Sequence, residues 1–388
     1  MLSHLDARAR PLAVLFLLLS TGWAANHFSA VLPALRVEED LSPTLLAAVF
    51  GLYAVGLVPG LLAGGALSDR YGRATIALPG AALAAIGTLS LLVWHLPTGL
   101  GVGRVVVGLG AGAAFSAGTA WMADLGGSRG ATLAGIALTS GFGGGPVVSG
   151  ILAQWLPAPL VLPYLVSGTL SIAAITFCLT SRRPAPEPSA GTPTAADHVA
   201  SAGSHRSVRS ALGWALPIAP LVFTTATIGL VTLPSRLPDR LDGPALTGFA
   251  AATVLGAGLV AQTWARHRHR PAGTIGAASG SLGLALSAAA GAQAGLLAVT
   301  VAAVLLGICY GLCLHAGLHD IEERSPAGKR GSLTGIFYVG TYLGFGVPVL
   351  LEVLREPAGV RVPLAVLAAI SGLAFAQRAL RRPRSLVR

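Results

Sequence analysis

Gly65-Ala66-Leu67-Ser68-Asp69-Arg70-Tyr71-Gly72-Arg73 is the stretch that decides the fold. It places glycine and charge between two apolar segments, residues 45–67 and 74–96. Each segment is long enough to cross a bilayer, which takes about 20 residues. Charged side chains such as Asp69 and Arg73 are costly in hydrocarbon, so the link between the segments must lie at one membrane face. The sequence therefore predicts an antiparallel hairpin of two membrane helices.

The composition extends this prediction to the whole chain. Of 388 residues, 53% are hydrophobic and only 11% are charged, whereas soluble domains are about 25% charged. Twelve apolar segments are long enough to span a membrane: 11–35, 45–67, 74–96, 99–123, 133–156, 159–179, 212–233, 244–265, 272–292, 294–318, 333–353 and 362–379. We therefore expect an all-α membrane protein with 12 transmembrane helices.

The chain also divides into two halves. Residues 181–210 are rich in proline, serine and alanine and hold almost no large apolar side chain, which is typical of a flexible linker. Glycine and proline patterns at 129–146 and 330–348 are alike, as in a duplicated unit. We predict an N-terminal six-helix bundle over 1–180, a cytoplasmic linker over 181–210 and a C-terminal six-helix bundle over 211–388.

The basic residues indicate the orientation. The two termini and the even-numbered links hold 20 lysines and arginines, whereas the odd-numbered links hold 5. Because basic residues concentrate on the cytoplasmic side of membrane proteins, both termini are predicted to be cytoplasmic, in a multi-pass inner (plasma) membrane protein. The net charge of +11 then indicates orientation and contact with lipid headgroups rather than a nucleic-acid partner.

No cofactor or metal is indicated. Cys178, Cys309 and Cys313 lie in apolar runs and form no disulfide framework. The histidines that follow Cys313 fit the polar end of a helix better than a metal site. A phosphate loop of the Gly-Lys-Ser/Thr type is absent from the sequence, so a transport activity would draw on a proton gradient rather than on bound ATP.

The stretch from Gly65 to Arg73 strongly resembles the signature loop between helices 2 and 3 of the major facilitator superfamily of transporters. The resemblance implies two pseudo-symmetric six-helix bundles with a substrate cavity between them at mid-depth. It also implies a cytoplasmic gate. The gate residues would be Gly65, Asp69, Arg70, Gly72, Arg73 and Asp124. Asp69 would contact the start of helix 11, near Gly331 and Ser332, and Arg73 would pair with Asp124. The alternative is a charged turn that only orients the hairpin.

Two further motifs resemble those of the family. Arg104 and Gly108 match its helix-4 motif Arg-x-x-x-Gly, which is linked to proton transfer; alternatively Arg104 reaches the outer surface. Helix 5 resembles the motif Gly-Pro-x-x-Gly-Gly of the exporter branch, the bacterial drug/proton antiporters. Its packing residues are Gly141, Gly145, Pro146 and Gly150. Ser149 replaces one glycine and Thr132 another, so this motif is incomplete. Its proline bends the helix and its glycines permit close packing.

The proton-coupling candidates besides Arg104 are His27 and, more weakly, Glu352. His27 lies mid-helix and titrates near neutral pH, although it is equally compatible with a neutral histidine bonded to a neighbouring helix. The expected cavity lies between helices 1, 4, 7 and 10. Its candidate lining residues are Trp23, Asn26, His27, Trp121, Phe223 and Tyr310. Such a lining favours uncharged or amphipathic ligands.

These features predict a secondary active transporter and not an enzyme. Proton-coupled efflux of a small, largely apolar molecule by a monomer is the function that the motifs favour. Two alternatives stay open: an uptake permease for a small metabolite, and a non-transporting membrane sensor of the same fold. The sequence does not identify the substrate.

Overall fold

The computed structural model describes residues 2–181, 207–238, 243–266, 269–326 and 329–381. All regular elements in these ranges are helices. Twelve of them are long and apolar enough to cross a membrane. They are α1 Ala9–Glu38, α2 Pro43–Tyr71, α3 Arg73–Val93, α4 Pro97–Gly127, α5 Arg129–Trp155, α6 Leu162–Thr180, α7 Val208–Thr232, α8 Pro244–Ala265, α9 Pro271–Ala290, α10 Leu296–Arg324, α11 Ser332–Val353 and α12 Arg361–Leu380.

The predicted class of fold is therefore confirmed: the protein is an all-helical, multi-pass membrane protein with twelve spans. The bundle limits 1–180 and 211–388 stay predictions, and most of the predicted linker 181–210 lies outside the described residues. Large apolar side chains on the outside of the molecule fit this class. Leu297 is 78% exposed and Leu373 is 70% exposed, which is expected only if that surface faces lipid rather than water.

Local sequence signals set the ends of several helices. Ser42 caps α2, because its hydroxyl accepts a hydrogen bond from the Leu45 amide, and Pro43 occupies the first helical position. Gly72 separates α2 from α3 with a φ of +96°, a conformation that favours glycine. Gly127 has a φ of +56° at the end of α4. The two glycines thus end their helices at tight turns.

Glycine also permits the close packing of α2 against α4. A Cβ at Gly56 or Gly60 would overlap the main chain of α4, and a Cβ at Gly108 or Gly112 would overlap the main chain of α2. Gly108, predicted as a packing residue, lies against the Tyr53 carbonyl. In a bilayer, small residues that let backbones approach are a main source of helix association.

The first six spans contact the last six along two main seams, α5 with α8 and α2 with α11. In the first seam, Gly150 of α5 packs on Pro244, and Gly248 of α8 packs on the carbonyl of Pro146. In the second, a Cβ at Gly51 would lie 3.0 Å from the Phe345 carbonyl oxygen. We call the side that carries the α2–α3 turn the Asp69 side. The Gly150–Pro244 and Gly248–Pro146 contacts lie toward the ends of α5 and α8 that are away from it.

Candidate functional site

A cavity of about 530 Å³ lies between the first six and the last six spans. A volume of this order fits a drug-sized ligand. None of the described residues that line it carries a formal charge at neutral pH. Nine of the lining residues are aromatic: Phe50, Tyr53, Phe115, Phe142, Phe223, Tyr310, Tyr338, Tyr342 and Phe345.

The cavity opens toward the Asp69 side. Gly135 of α5 and Gln262 of α8 both line it there, and a Cβ at Gly135 would have no atom within 4 Å. The same two helices are in close contact at the other end, through Gly150 and Gly248. Since α5 and α8 touch at one end and separate at the other, ligands have access from the Asp69 side.

The expected lining is only partly correct. Asn26, Phe223 and Tyr310 line the cavity as predicted. However, helices 1, 4, 7 and 10 supply only ten of the 28 lining residues, four of them from α7, whereas α2 and α11 supply six each, α5 four and α8 two. Hydropathy identifies a span but not the face that the span turns inward, so this correction required the structure.

Three predicted lining residues lie elsewhere. Trp23 packs on Gly145 of α5, where a Cβ would lie 3.3 Å from its indole. His27 is fully buried and makes an edge contact with Tyr164 at 5.5 Å. Trp121 is buried beneath the guanidinium of Arg10, 5.7 Å from its ring centre. All three fill the interior of the first six spans and do not face the cavity.

Arg104 is buried directly behind the cavity wall. Only 1% of it is exposed, so it does not reach the outer surface. Its guanidinium lies 4.6 Å from the ring centre of Phe28 and 4.7 Å from that of Tyr53, and it donates a hydrogen bond to the Ala25 carbonyl at 3.2 Å. No carboxylate pairs with it in the part of the chain that the structure describes. Aromatic faces and one carbonyl therefore supply its only compensation.

His27 and Arg104 belong to one buried cluster. The Nδ1 of His27 lies 3.1 Å from the Ala24 carbonyl oxygen; because a carbonyl can only accept, Nδ1 carries the proton of this hydrogen bond. Its Nε2, the Nε of Arg104 and the hydroxyls of Tyr53 and Tyr164 have no hydrogen-bond partner in the structure. Buried polar groups without partners are rare and call for an explanation.

The signature loop forms a charged cluster. The Nε of Arg73 lies 2.9 Å from Asp124 Oδ2, so the pair expected from sequence is present. Arg73 also binds Asp69 and donates to the Ser68 hydroxyl at 2.9 Å. Arg70 lies over the ring of Tyr71, 5.2 Å from its centre, and is exposed. The cluster joins the ends of α2 and α4 to the start of α3.

Gly65 has room for a side chain, whereas the glycines of the helix-5 motif are packing positions. A Cβ at Gly65 would lie 3.9 Å from Ser116 of α4. Gly141 and Gly145 lie against α1, and Gly150 lies against α8. The motif therefore packs α5 against α1 in the first half and against α8 in the second half.

Glu352 lies far from the cavity, at the opposite end of α11. It accepts a hydrogen bond from Arg355 at 3.4 Å and is close to the buried Arg236. Burial lowers the pKa of Arg236 to about 10, and the nearby carboxylate of Glu352 opposes that change. This position fits an ion pair at the membrane face better than a group in the transport path.

Two features were missed from the sequence. Tyr338, Tyr342 and Phe345 line the cavity from α11, and their i, i+4, i+7 spacing would have placed them on one helix face. Asp320 and Arg378 form a buried ion pair, in which the Oδ2 of Asp320 lies 2.8 Å from the Nη2 of Arg378. The sequence did not indicate this pair, because both residues lie near helix ends, where charged side chains usually face water.

Comparison with known proteins agrees with this geometry. The model of the Major Facilitator Superfamily matches residues 12–348. The multidrug resistance protein MdtL of Escherichia coli is 33% identical over 84 residues, which is 22% of this chain and 22% of that protein. The alignment thus spans about a fifth of the relative.

Solved structures share the fold at low identity. The POT family transporter PepTSo has a TM-score of 0.74 at 12% identity, over 95% of this chain and 97% of that one. The xylose transporter XylE of E. coli, in a partially occluded inward-open conformation, has a TM-score of 0.73 at 15% identity, over 97% of this chain and 100% of that one. The nucleoside transporter NupG, solved as a mutant, has a TM-score of 0.71 at 14% identity, over 96% of this chain and 100% of that one.

Proposed function

Because this chain belongs to the major facilitator superfamily, we propose that it is a proton-coupled exporter of a small, largely apolar molecule. It is a transporter and not an enzyme. The observation that carries the proposal is the uncharged, aromatic cavity between the two halves, which suits an apolar cargo. The partial likeness to a protein named for multidrug resistance and the helix-5 motif at the α5–α8 seam support export.

We assign the Asp69 side to the cytoplasm of a bacterial inner membrane. The count of 20 basic residues against 5 supports this orientation. The conformation described above is then inward-open. Transport would proceed by rocking of the two halves as a monomer, with the proton gradient rather than a bound cofactor as the energy source.

The signature loop is the proposed inner gate. When the inner side closes, Asp69 would accept hydrogen bonds at the start of α11, where free backbone amides favour an anion. The proximity of the two elements supports this contact, since a Cβ at Gly335 would lie 3.7 Å from the Leu62 side chain of α2.

The gate predicts a specific effect of Asp69→Asn. A carboxylate at a helix N-terminus contributes about 0.3–1 kcal/mol, and up to about 2 kcal/mol where it is partly buried, so turnover should fall about 2- to 30-fold while insertion and thermal stability are unchanged. Initial transport rates in proteoliposomes measure the effect, with the exposed Glu38→Gln as a control on the opposite side. Full activity of Asp69→Asn would refute the gate.

The proton-coupling proposal centres on His27 with Arg104, because they share a buried cluster with unpartnered polar atoms. The test begins with a growth-inhibition panel of uncharged antibacterials in a strain without its own exporters. Protective hits are then added to everted vesicles, where we expect proton release and accumulation of the compound. In the same vesicles His27→Gln should abolish gradient-driven accumulation but leave substrate exchange intact.

The vesicle results also discriminate the other functions. Accumulation in right-side-out rather than everted vesicles would indicate an uptake permease. Ligand binding without exchange in either preparation would indicate a sensor. Undiminished gradient-driven accumulation by the His27→Gln variant would exclude His27 as the proton carrier.

A further inference from the structure

The cavity wall formed by α11 and α7 carries a row of neighbouring aromatic rings. The rings of Tyr342 and Phe223 are nearly parallel, with centres 5.0 Å apart and an angle of 12°. Those of Tyr338 and Tyr342 are 6.2 Å apart at 23°. Phe345 extends the surface to Phe50 of α2, at 5.9 Å. Rings paired in this way share one face with each other, and their remaining faces and edges can contact a planar aromatic ligand.

Polar groups at the edges of this surface are free to bind a ligand. The hydroxyls of Tyr310, Tyr338 and Tyr342 have no hydrogen-bond partner among the described residues, and neither has the side-chain amide of Gln262. Asn26 donates to the Phe142 carbonyl at 2.8 Å, which leaves its oxygen as an acceptor. The cavity therefore offers neutral donors and acceptors around an aromatic floor.

The charge distribution selects against ionic ligands. The described lining holds no charge, so an anion would be removed from water without an ionic partner, and only aromatic faces would compensate a cation. Arg104, which no described carboxylate pairs with, lies directly behind Tyr53 and 6.0 Å from the ring centre of Phe50. Its positive field opposes a cation in the cavity. Its own side chain is too deeply buried, at 1% exposure, to bind an anion there.

We infer that the cavity binds uncharged, planar aromatic molecules with hydroxyl or carbonyl groups at their edges. The ring system stacks on Tyr338 and Tyr342, and the edge groups bind the tyrosine hydroxyls and the amides of Asn26 and Gln262. The inference rests on the proposed function only in taking this cavity as the transport site, and binding can be measured without transport.

The test uses three anthraquinones that share one ring system and carry substituents of different charge: a neutral hydroxymethyl, an anionic sulfonate and a cationic trimethylammonium group. Binding to the purified full-length protein in lipid nanodiscs is measured by equilibrium dialysis, with empty nanodiscs to subtract partition into lipid. We expect the neutral probe to bind at least tenfold more tightly than either charged probe.

Variants locate the site. Tyr342→Ala should weaken binding of the neutral probe about tenfold, whereas Tyr342→Phe, which keeps the stacking face, should stay within about threefold. Phe249→Ala is the matched control, because Phe249 is 47% exposed on the lipid-facing side of α8 and its loss should leave binding unchanged.

The outcomes separate this inference from the proposed function. Equal or tighter binding of a charged probe would overturn it, as would unchanged binding by Tyr342→Ala. Selective binding of the neutral probe without any proton-driven movement would instead leave the inference standing and contradict proton-coupled export of such molecules.

Discussion

Asp320→Ala is expected to lower the free energy of unfolding by about 3–5 kcal/mol, because it leaves a buried cation without its partner. The side chains of Arg378 and Asp320 are only 5% and 8% exposed. Arg378 also donates to the Trp214 carbonyl at 2.7 Å, and its guanidinium lies 5.1 Å from the centre of the Trp214 ring. The pair therefore fastens α7, α10 and α12 together at one end of the second half.

Unfolding in detergent micelles by heat or denaturant measures this loss. Asp124→Ala is the matched control, since its carboxylate is 57% exposed and its partner Arg73 is 25% exposed; such a pair contributes about 1 kcal/mol or less. The double variant Asp320→Leu with Arg378→Met should recover much of the stability, because no buried charge remains. Equal losses for Asp320→Ala and Asp124→Ala would contradict the argument.

Asp124 and Asp320 occupy corresponding places near the ends of α4 and α10, but their partners differ. Asp124 pairs with Arg73 at the start of α3, whereas Asp320 pairs with Arg378 in α12. The second half lacks the aspartate and glycine of the signature loop at residues 265–270. The buried pair thus secures the second half internally, while the loop pair lies exposed on the Asp69 side.

Sequence reasoning succeeded where a signal is local. Hydropathy identified all twelve spans, and the eighth, Pro244–Ala265, has the predicted limits. The Arg73–Asp124 pair was also predictable, because its residues lie at helix ends that must share one membrane face. These inferences need only the length of each span and the side on which it ends.

The cavity lining was less predictable, because it depends on how each helix is rotated. Trp23 and Tyr342 are both aromatic residues in apolar helices, yet Trp23 packs on Gly145 and Tyr342 faces the cavity. The apolar composition is alike on lipid-facing, packed and cavity-facing sides. Only tertiary contacts, such as that of Gly145 with Trp23, determine which side of a helix faces lipid, a neighbouring helix or the cavity.

Gly248→Ala should move the protein away from the inward-open conformation. The added Cβ would overlap the Pro146 carbonyl and lie 3.0 Å from the Val147 Cα, so α5 and α8 must separate at their contact. Overpacking of this kind costs about 1–3 kcal/mol, which lowers the ratio of inward-open to outward-open molecules by about 5- to 150-fold. The half away from the Asp69 side would then open, because the contact that holds it closed is the one that is strained.

A cysteine introduced at Thr139, on the cavity wall, reports this change through its rate of labelling by a bulky, water-soluble maleimide in everted vesicles. The native Cys178, Cys309 and Cys313 are all buried and should contribute little background. Gly256→Ala is the control on the same helix, because a Cβ there would have no atom within 4 Å. Slower labelling with Gly248→Ala but not with Gly256→Ala would show that one α5–α8 contact sets the direction in which the cavity opens. Equal rates would mean that α5 and α8 tolerate a methyl group at this point, and that other contacts between the halves, such as those of Gly150 and of α2 with α11, hold that side closed.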